Sequence, residues 1–245
     1  MLNILIPLAG KQSFFPEADY PYPKPLIEID GRTMIERVLE NLKSINAEKR
    51  FIFIVNSADC RKYHLDNTLQ LLTDGKAVVV KIDKETKGAA CSALLAIEHI
   101  GNDSPLVICN ADQIFDCDLG QIVKDFLAYD AGVITFDSVH PRWSYAELDQ
   151  DGFLTQSAEK NPISKHAIAG FYFFKKGMDY IDGACRMISK DAHVNGNFYV
   201  APVMNELVLQ GLKIRAFPVP AREYHSFYSP TKISEYERLG ASSRG

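Results

Sequence analysis

The hydrophobic residues of the first half of the chain form short apolar runs that alternate with segments of helical periodicity. A run such as Leu106-Val-Ile-Cys109 has no polar position, which is typical of a strand buried on both faces. Between Ile35 and Ile45 every third or fourth residue is apolar, which predicts a helix that begins at the capping box Thr33-Met-Ile-Glu36. The predicted strands are residues 2–8, 51–55, 77–82 and 106–109, and the predicted helices are residues 33–46, 58–72 and 89–100. This alternation predicts a parallel sheet covered by helices on both sides.

The second half of the chain has a different pattern. A turn sequence, Asp149-Gln-Asp-Gly152, separates two short apolar runs, which predicts an antiparallel hairpin. The predicted strands are residues 132–136, 146–148, 153–155, 167–174 and 213–219, and the predicted helices are residues 178–189, 200–210 and a segment beyond residue 230. We therefore expect one α/β domain over residues 1–245. It should be a three-layer α/β/α, Rossmann-like arrangement with a mainly parallel central sheet and an antiparallel elaboration in the C-terminal half.

Composition narrows the possible partners of the protein. The chain has 245 residues, 47% of them hydrophobic, which is enough for one large domain. Its net charge of −4 disfavours nucleic acid as a partner. No apolar run approaches the roughly 20 residues that span a membrane, and the N-terminus does not have the pattern of a signal peptide. The five cysteines contain no C-x-x-C pair, which indicates buried, reduced thiols. These features together predict a cytoplasmic protein.

Candidate chemistry lies where the predicted strands end, since open parallel sheets bind ligands beyond the carboxyl ends of their strands. Asp112 follows a buried strand directly, where one carboxylate together with substrate phosphates can hold Mg²⁺. The alternative is that Asp112 caps a helix, and for Asp118, with Gln121 three residues later, capping is the favoured interpretation. Lys24 lies between Pro23 and Pro25, which predicts an extended lysine aimed at an anion.

Several of these motifs occur together in an order that resembles a known family, the sugar-phosphate nucleotidyltransferases, or nucleoside-diphosphate-sugar pyrophosphorylases. That family is related to glycosyltransferases of the GT-A type. The resemblance covers roughly residues 2–235 and includes a phosphate-binding first loop that diverges from the family pattern. The motifs are Leu8-Ala-Gly10, Pro23-Lys-Pro-Leu26, Gly31, Thr86-Lys-Gly88, Asn110-Ala-Asp112, Glu159-Lys160 and Gly170-Phe-Tyr172.

The resemblance implies a reaction and a set of site residues. A sugar-1-phosphate would attack the α-phosphorus of a nucleoside triphosphate, releasing pyrophosphate and giving an NDP-sugar for polysaccharide biosynthesis. It implies that Lys24 and Asp112 are catalytic, with Mg²⁺ on Asp112. Residues 1–115 would form the nucleotide-binding half and residues 116–245 the sugar-phosphate-binding half. The implied nucleotide-binding residues are Leu8, Ala9, Gly10, Lys11, Ser13, Gly88 and Asn110, and the implied sugar-phosphate-binding residues are Glu159, Lys160, Gly170 and Asn195.

Two segments depart from the family pattern and keep other functions open. Gln12 and Phe14 stand where the first loop of the family carries a glycine and an arginine, and Phe227 and Tyr228 stand in an altered C-terminal turn. A non-catalytic relative that binds a nucleotide or sugar phosphate is therefore one alternative. A GT-A glycosyltransferase is another, although Asn110-Ala-Asp112 offers one acid where that class uses two. A homo-oligomer is also left open.

Overall fold

The first strand lies inside the main sheet, with a parallel neighbour on each side. The computed structural model describes residues 1–10, 14–16 and 18–242. The strands are β1 (Leu2–Pro7), β2 (Glu28–Ile29), β3 (Arg32–Thr33), β4 (Lys49–Asn56), β5 (Val78–Ile82), β6 (Leu106–Cys109), β7 (Gln113–Phe115), β8 (Ala131–Asp137), β9 (Ser144–Leu148), β10 (Leu154–Glu159), β11 (His166–Phe174), β12 (Ile214–Pro218) and β13 (Tyr224–Ser226). The helices are α1 (Met34–Lys43), α2 (Ser57–Tyr63), α3 (Leu65–Leu72), α4 (Ala89–Leu94), α5 (Ile97–Ile100), α6 (Leu119–Phe126), α7 (Gly177–Ser189), α8 (Val203–Leu209) and α9 (Pro230–Ser242).

The main sheet has nine strands and two halves of different character. Strands β5, β4, β1 and β6 are parallel to one another, as the apolar runs predicted. Strand β11 pairs antiparallel with β6 and also with β8 and β9, and β10 extends the sheet beyond β9. Strand β12 lies parallel to β8. The predicted α/β fold, with a parallel core and an antiparallel elaboration in the C-terminal half, is confirmed.

Helices cover both faces of this sheet because its strands are apolar on both faces. In β1, Ile4 and Ile6 belong to one hydrophobic cluster and Leu5 belongs to the other. Helices α1 and α6 contribute to the first cluster, and α4, α7 and α8 contribute to the second. Alternate side chains of a strand point to opposite faces, so the sheet becomes the middle of three layers.

Local capping signals correctly located the starts of two helices. The Thr33 hydroxyl accepts from the Glu36 N–H, and the Glu36 carboxylate accepts from the Thr33 N–H, each at 3.4 Å, which confirms the capping box of α1. The Asp118 carboxylate accepts from the Gln121 N–H at 3.0 Å, which confirms capping for that residue. Helix α6, which Asp118 caps, has no counterpart among the helices predicted from periodicity.

The structure corrects three local predictions. The helix predicted over residues 58–72 is two helices, because His64 has a left-handed backbone with φ of 54°. Residues 89–100 likewise form two short helices, α4 and α5. The extended conformation predicted for Lys24 is wrong, because residues Lys24–Leu26 form a 3-10 turn in which the Leu26 N–H donates to the Pro23 carbonyl. Proline is tolerated in the first turn of a helix, so Pro25 does not prevent this turn.

The cysteines and the helix lengths bear on two further expectations. All five cysteines are free, and Cys60 and Cys109 are buried as predicted, whereas Cys185 is exposed. In the part of the chain that the structure describes, no helix combines the length and the apolar character needed to cross a bilayer.

Candidate active site

A cavity of about 720 Å³ opens beyond the carboxyl ends of β1 and β6 and is bounded on its other side by residues at the ends of β9 and β10. We call it the cleft. Most of the residues singled out from the sequence line it, although they come from distant parts of the chain. They are Leu8, Ala9, Gly10, Lys24, Gly88, Asn110, Asp112, Glu159, Lys160 and Gly170. Lys11, Gln12 and Ser13 lie outside the described residues.

An ion pair between Lys24 and Asp112 lies in the cleft. The Lys24 Nζ donates to Asp112 Oδ2 at 2.5 Å, and the two side chains are 25% and 20% exposed. Lys24 Nζ also lies 5.5 Å from the ring centroid of the buried Phe15. The Asp112 carbonyl accepts from the Phe227 N–H at 2.7 Å, where the short sheet of β7 and β13 ends. The C-terminal segment therefore fixes the backbone that carries this carboxylate.

The donor set around Asp112 fits a hard divalent cation that is also held by a ligand. The described residues contain no group of three or more His, Cys, Asp or Glu side chains arranged to hold a metal ion. A cation bound by Asp112 would therefore take most of its oxygens from phosphates and water, which is how Mg²⁺ is usually coordinated. The partial exposure of the carboxylate to the cleft leaves room for such ligands.

Glu159 and Lys160 occupy another part of the wall of the cleft, at the end of β10. Glu159 is 9% exposed, and its carboxylate accepts a short hydrogen bond from the Ser144 hydroxyl on β9. Lys160 has a left-handed backbone with φ of 54°, and its N–H donates to the Trp143 carbonyl. Its ammonium donates to the Tyr199 hydroxyl at 2.7 Å. Adjacent residues thus present a buried acceptor and a cation to one cleft.

Burial raises the pKa of the Glu159 carboxyl above its ordinary value, against the opposing effects of the Ser144 hydrogen bond and the nearby Lys160 charge. The folded state therefore holds the proton more tightly than the unfolded chain, and stability falls as the pH rises from the ordinary carboxyl pKa through the raised one. We expect Glu159→Gln to melt at a higher temperature than the wild type at neutral pH. The difference should shrink toward zero at about pH 3.5, below the ordinary glutamate pKa of about 4.3.

Melting curves of the purified variant at both pH values check this expectation. Glu147→Gln, which changes an exposed glutamate of the neighbouring strand β9, is the matched control and should leave the melting temperature unchanged. An increase in melting temperature that is the same at both pH values would contradict this expectation. It would show that the difference in stability between Glu159→Gln and the wild type comes from packing and not from the carboxyl proton.

Two glycines make close approaches that shape the cleft. Gly170 has φ of 58°, and a Cβ there would lie 2.1 Å from Asn110 Nδ2. The Asn110 N–H donates to the Gly170 carbonyl at 2.9 Å, and this hydrogen bond holds the two backbones next to each other. Gly88 has φ of 104°, and a Cβ there would lie 2.4 Å from the carbonyl oxygen of Phe198. A larger residue is therefore strained at both positions.

Two residues considered from the sequence lie elsewhere. Asn195 does not line the cleft, whereas Asn197 does, because Asn195 is in the exposed turn that precedes it. His225 lies 2.8 Å from Asp116, measured from Nε2 to Oδ2, and lines a smaller cavity of about 330 Å³.

Among the polar residues of the cleft that were missed as site residues are Arg142, Ser144 and Tyr199. A usable signal existed for Tyr199, which ends the motif Asn195-Gly-Asn-Phe-Tyr199. Arg142 and Ser144 flank the single tryptophan of the chain, where the loop before β9 joins that strand, and this segment has no motif of its own.

The fold and the cleft define an α/β protein with a cleft, lined by lysines and carboxylates, at the carboxyl edge of its parallel strands. The chain belongs to the nucleotidyl transferase family, whose model matches residues 20–195. The predicted family is thereby confirmed, and the protein is a nucleotidyl transferase. Enzymes of this family generally use a divalent metal ion.

Individual relatives support this assignment along nearly the whole chain. The UTP–glucose-1-phosphate uridylyltransferase AglF of Haloferax volcanii is 23% identical over 246 residues, covering 97% of this chain and 96% of that protein. The crystal structure of a nucleoside-diphosphate-sugar pyrophosphorylase from Vibrio cholerae RC9 superposes with a TM-score of 0.84 at 25% identity, covering 96% of this chain and 99% of that one. The bifunctional protein GlmU of Methanococcus aeolicus is 22% identical over 220 residues, which cover 88% of this chain but 50% of that protein.

Proposed function

We propose that this nucleotidyl transferase joins a nucleoside monophosphate, taken from a nucleoside triphosphate, to a sugar-1-phosphate, and releases pyrophosphate. The observation that carries the proposal is that the Lys24–Asp112 pair and the Glu159–Lys160 pair line one cleft. The named activities of the Haloferax and Vibrio relatives support the same reaction. The product is an NDP-sugar, and polysaccharide biosynthesis and a cytoplasmic location remain predictions.

The two substrates divide the cleft between the two halves of the domain. Residues 1–115 supply the turn after β1, Lys24, Gly88 and Asp112, and we assign the nucleotide to this half. Residues 116–245 supply Glu159, Lys160 and Gly170, and we assign the sugar phosphate to that half. The halves meet where β6 pairs with β11, so the reacting groups would meet near this junction.

On the nucleotide side, Leu8, Ala9 and Gly10 would border the nucleotide at the end of β1, and Asn110 would do so at the end of β6. The glycine at position 88 lets the segment after β5 pass close to Phe198, which narrows this part of the cleft. Lys24 would contact the phosphate at the reacting centre. Mg²⁺, held by Asp112, would neutralise phosphate oxygens when bound.

On the sugar side, the buried Glu159 carboxylate would accept hydrogen bonds from sugar hydroxyls. Because Ser144 already donates to one of its oxygens, the orientation of the carboxylate is fixed before the sugar binds. Lys160, oriented by Tyr199, would hold the phosphate of the sugar.

The chemistry asks the protein mainly to align two polyanions and to neutralise their charge. A phosphate oxygen of the sugar-1-phosphate forms the new bond to the α-phosphorus, and the bond to the β-phosphate breaks as pyrophosphate leaves. The attacking oxygen is already ionised near neutral pH, so no general base has to remove a proton. Lys24 and Lys160 fit this demand because their cationic groups line the same cleft.

The reaction is tested by incubating the protein with each common nucleoside triphosphate, Mg²⁺ and a panel of sugar-1-phosphates. We expect pyrophosphate release with at least one pair, together with a product that contains both substrates. The matched control is the same mixture with Mg²⁺ removed by a chelator. Binding of nucleotide without release from any pair would instead favour a non-catalytic relative. Sedimentation of the same preparation would determine whether the protein is a homo-oligomer, which the sequence leaves open.

A further inference from the structure

Arg142 is held in the wall of the cleft by three aromatic rings. It lies in the loop between β8 and β9 and lines the cleft. Its guanidinium carbon lies 3.1 Å from the ring centroid of Tyr228 and 5.2 Å from those of Phe14 and Trp143. We call these three rings the aromatic cradle. Guanidinium groups bind favourably to ring faces, so the cradle restrains the position of the charge.

The cradle is connected to the Lys24–Asp112 pair from two directions. Phe14 is followed by Phe15, whose ring centroid lies 5.5 Å from Lys24 Nζ. Tyr228 follows Phe227, whose N–H donates to the Asp112 carbonyl. Two of the three rings, Phe14 and Tyr228, are thus each one residue away from a contact with the ion pair. Arg142 lines the same cleft as this pair.

The charge of Arg142 is available to a ligand, whereas that of Lys24 is largely offset by Asp112. Among residues 1–10, 14–16 and 18–242, no carboxylate lies within ion-pair distance of Arg142, and its guanidinium donates no hydrogen bond. A guanidinium has five N–H donors in its plane, and none of those of Arg142 donates to an acceptor among these residues. Such a group fits two oxygens of a phosphate in bidentate fashion.

The cations of the cleft divide between the two substrates. Lys160 serves the sugar phosphate in the proposed reaction and is held by Tyr199. The two outer phosphates of the triphosphate carry its largest negative charge, and that charge increases as pyrophosphate leaves. Lys24 neutralises this charge only in part, because it is also paired with Asp112. A fixed donor aimed at developing charge stabilises a transition state most when it is already in place.

We infer that Arg142 binds the pyrophosphate portion of the nucleoside triphosphate and holds it as it leaves; this rests on the proposed function. The aromatic cradle then has a functional purpose, because it keeps a half-buried guanidinium in position while none of the described carboxylates competes with the phosphate. Arg142 is a specificity element for triphosphate as well, since a nucleoside monophosphate has no group that reaches it.

The test compares Arg142→Met with a matched arginine outside the cleft. Arg215 is also held on two rings, with its guanidinium carbon 5.9 Å from the centroid of Tyr129 and 5.4 Å from that of Phe153, and it does not line the cleft. Calorimetry with pyrophosphate and Mg²⁺ should give a dissociation constant at least about tenfold higher for Arg142→Met than for the wild type. Arg215→Met should bind pyrophosphate as the wild type does. The affinity for a sugar-1-phosphate should be unchanged in both variants.

Kinetics and a second substitution complete the test. Arg142→Met should lower kcat by on the order of 100-fold. Arg142→Lys keeps the positive charge but not the bidentate pair of N–H donors, so its kcat should lie between that of the wild type and that of Arg142→Met. Melting temperatures show whether each variant is folded, and Arg142→Lys provides a second measurement if Arg142→Met is not. The inference is overturned if the wild type and Arg142→Met bind pyrophosphate equally, or if the wild type does not bind it. It is also overturned if Arg142→Met lowers the affinities for pyrophosphate and for the sugar-1-phosphate to the same extent. Arg142-dependent binding of pyrophosphate without turnover of any substrate pair would overturn the proposed function alone.

Discussion

Asp112→Asn is expected to lower kcat by roughly 10³-fold while leaving the fold intact. The amide has the shape of the carboxylate but not its charge, so it is a poor ligand for a hard cation. It also leaves the Lys24 ammonium, 2.5 Å away, without its counter-charge. Pyrophosphate release at saturating substrates, measured over a range of Mg²⁺ concentrations, checks the prediction.

The neighbouring Asp116 provides the matched control for this substitution. It lies four residues further on, is 60% exposed and pairs with His225 rather than with Lys24. Asp116→Asn makes the same chemical change outside the cleft and should keep kcat within about threefold of the wild type, as surface ion pairs contribute little. Equal losses in the two variants, or full activity in Asp112→Asn, would remove Asp112 from the proposed chemistry.

Gly170→Ala is expected to cost about 3 kcal/mol of unfolding free energy. The left-handed backbone penalises any L-residue with a side chain by about 1–2 kcal/mol, and overpacking costs a further 1–3 kcal/mol or so. The new methyl group would meet Asn110 Nδ2 at 2.1 Å and Gln113 Oε1 at 2.8 Å, and both side chains would have to move. The melting temperature should fall by about 6–12 °C for a domain of this size, and Asn110, which lines the cleft, should be displaced.

Gly211→Ala separates the two causes of this loss. Gly211 has φ of 77°, but a Cβ there would meet nothing within 4 Å, so its substitution carries the backbone cost alone. We expect chemical denaturation to show a loss of about 1–2 kcal/mol for Gly211→Ala and a clearly larger one for Gly170→Ala. Identical losses would mean that Asn110 and Gln113 accommodate the methyl group, and the packing argument would fail.

The parallel half of the sheet could be predicted because burial on both faces leaves a plain mark on the sequence. The apolar runs of β1, β4 and β6 gave both their positions and their parallel arrangement, and the turns after β1 and β6 gave the position of the cleft. Gly88 and Gly170 were predicted as site residues from the order of the motifs. Their close contacts in the structure give the steric reason for glycine at both positions.

The remaining features depend on contacts that local patterns do not record. Strands β7 and β13 have three residues each and pair across the chain, so neither has a detectable period of its own. The 3-10 turn at Lys24 depends on a hydrogen bond to Pro23 rather than on residue preference. Arg142 is held at the cleft by Phe14 and Tyr228, which lie far apart in sequence. The spacing of the motif does not show which of Asn195 and Asn197 lines the cleft.

The hydrogen bond from Phe227 to the Asp112 carbonyl has a consequence for biosynthesis. While the ribosome has made only the parallel strands, the turn that carries Asp112 lacks the segment that fixes it from the C-terminal side. Contacts between residues so distant in sequence form late, since the intervening chain has to be ordered first. A nascent chain can therefore pair its parallel strands before the turn at Asp112 is fixed, and we expect catalytic competence only once β13 has emerged and docked.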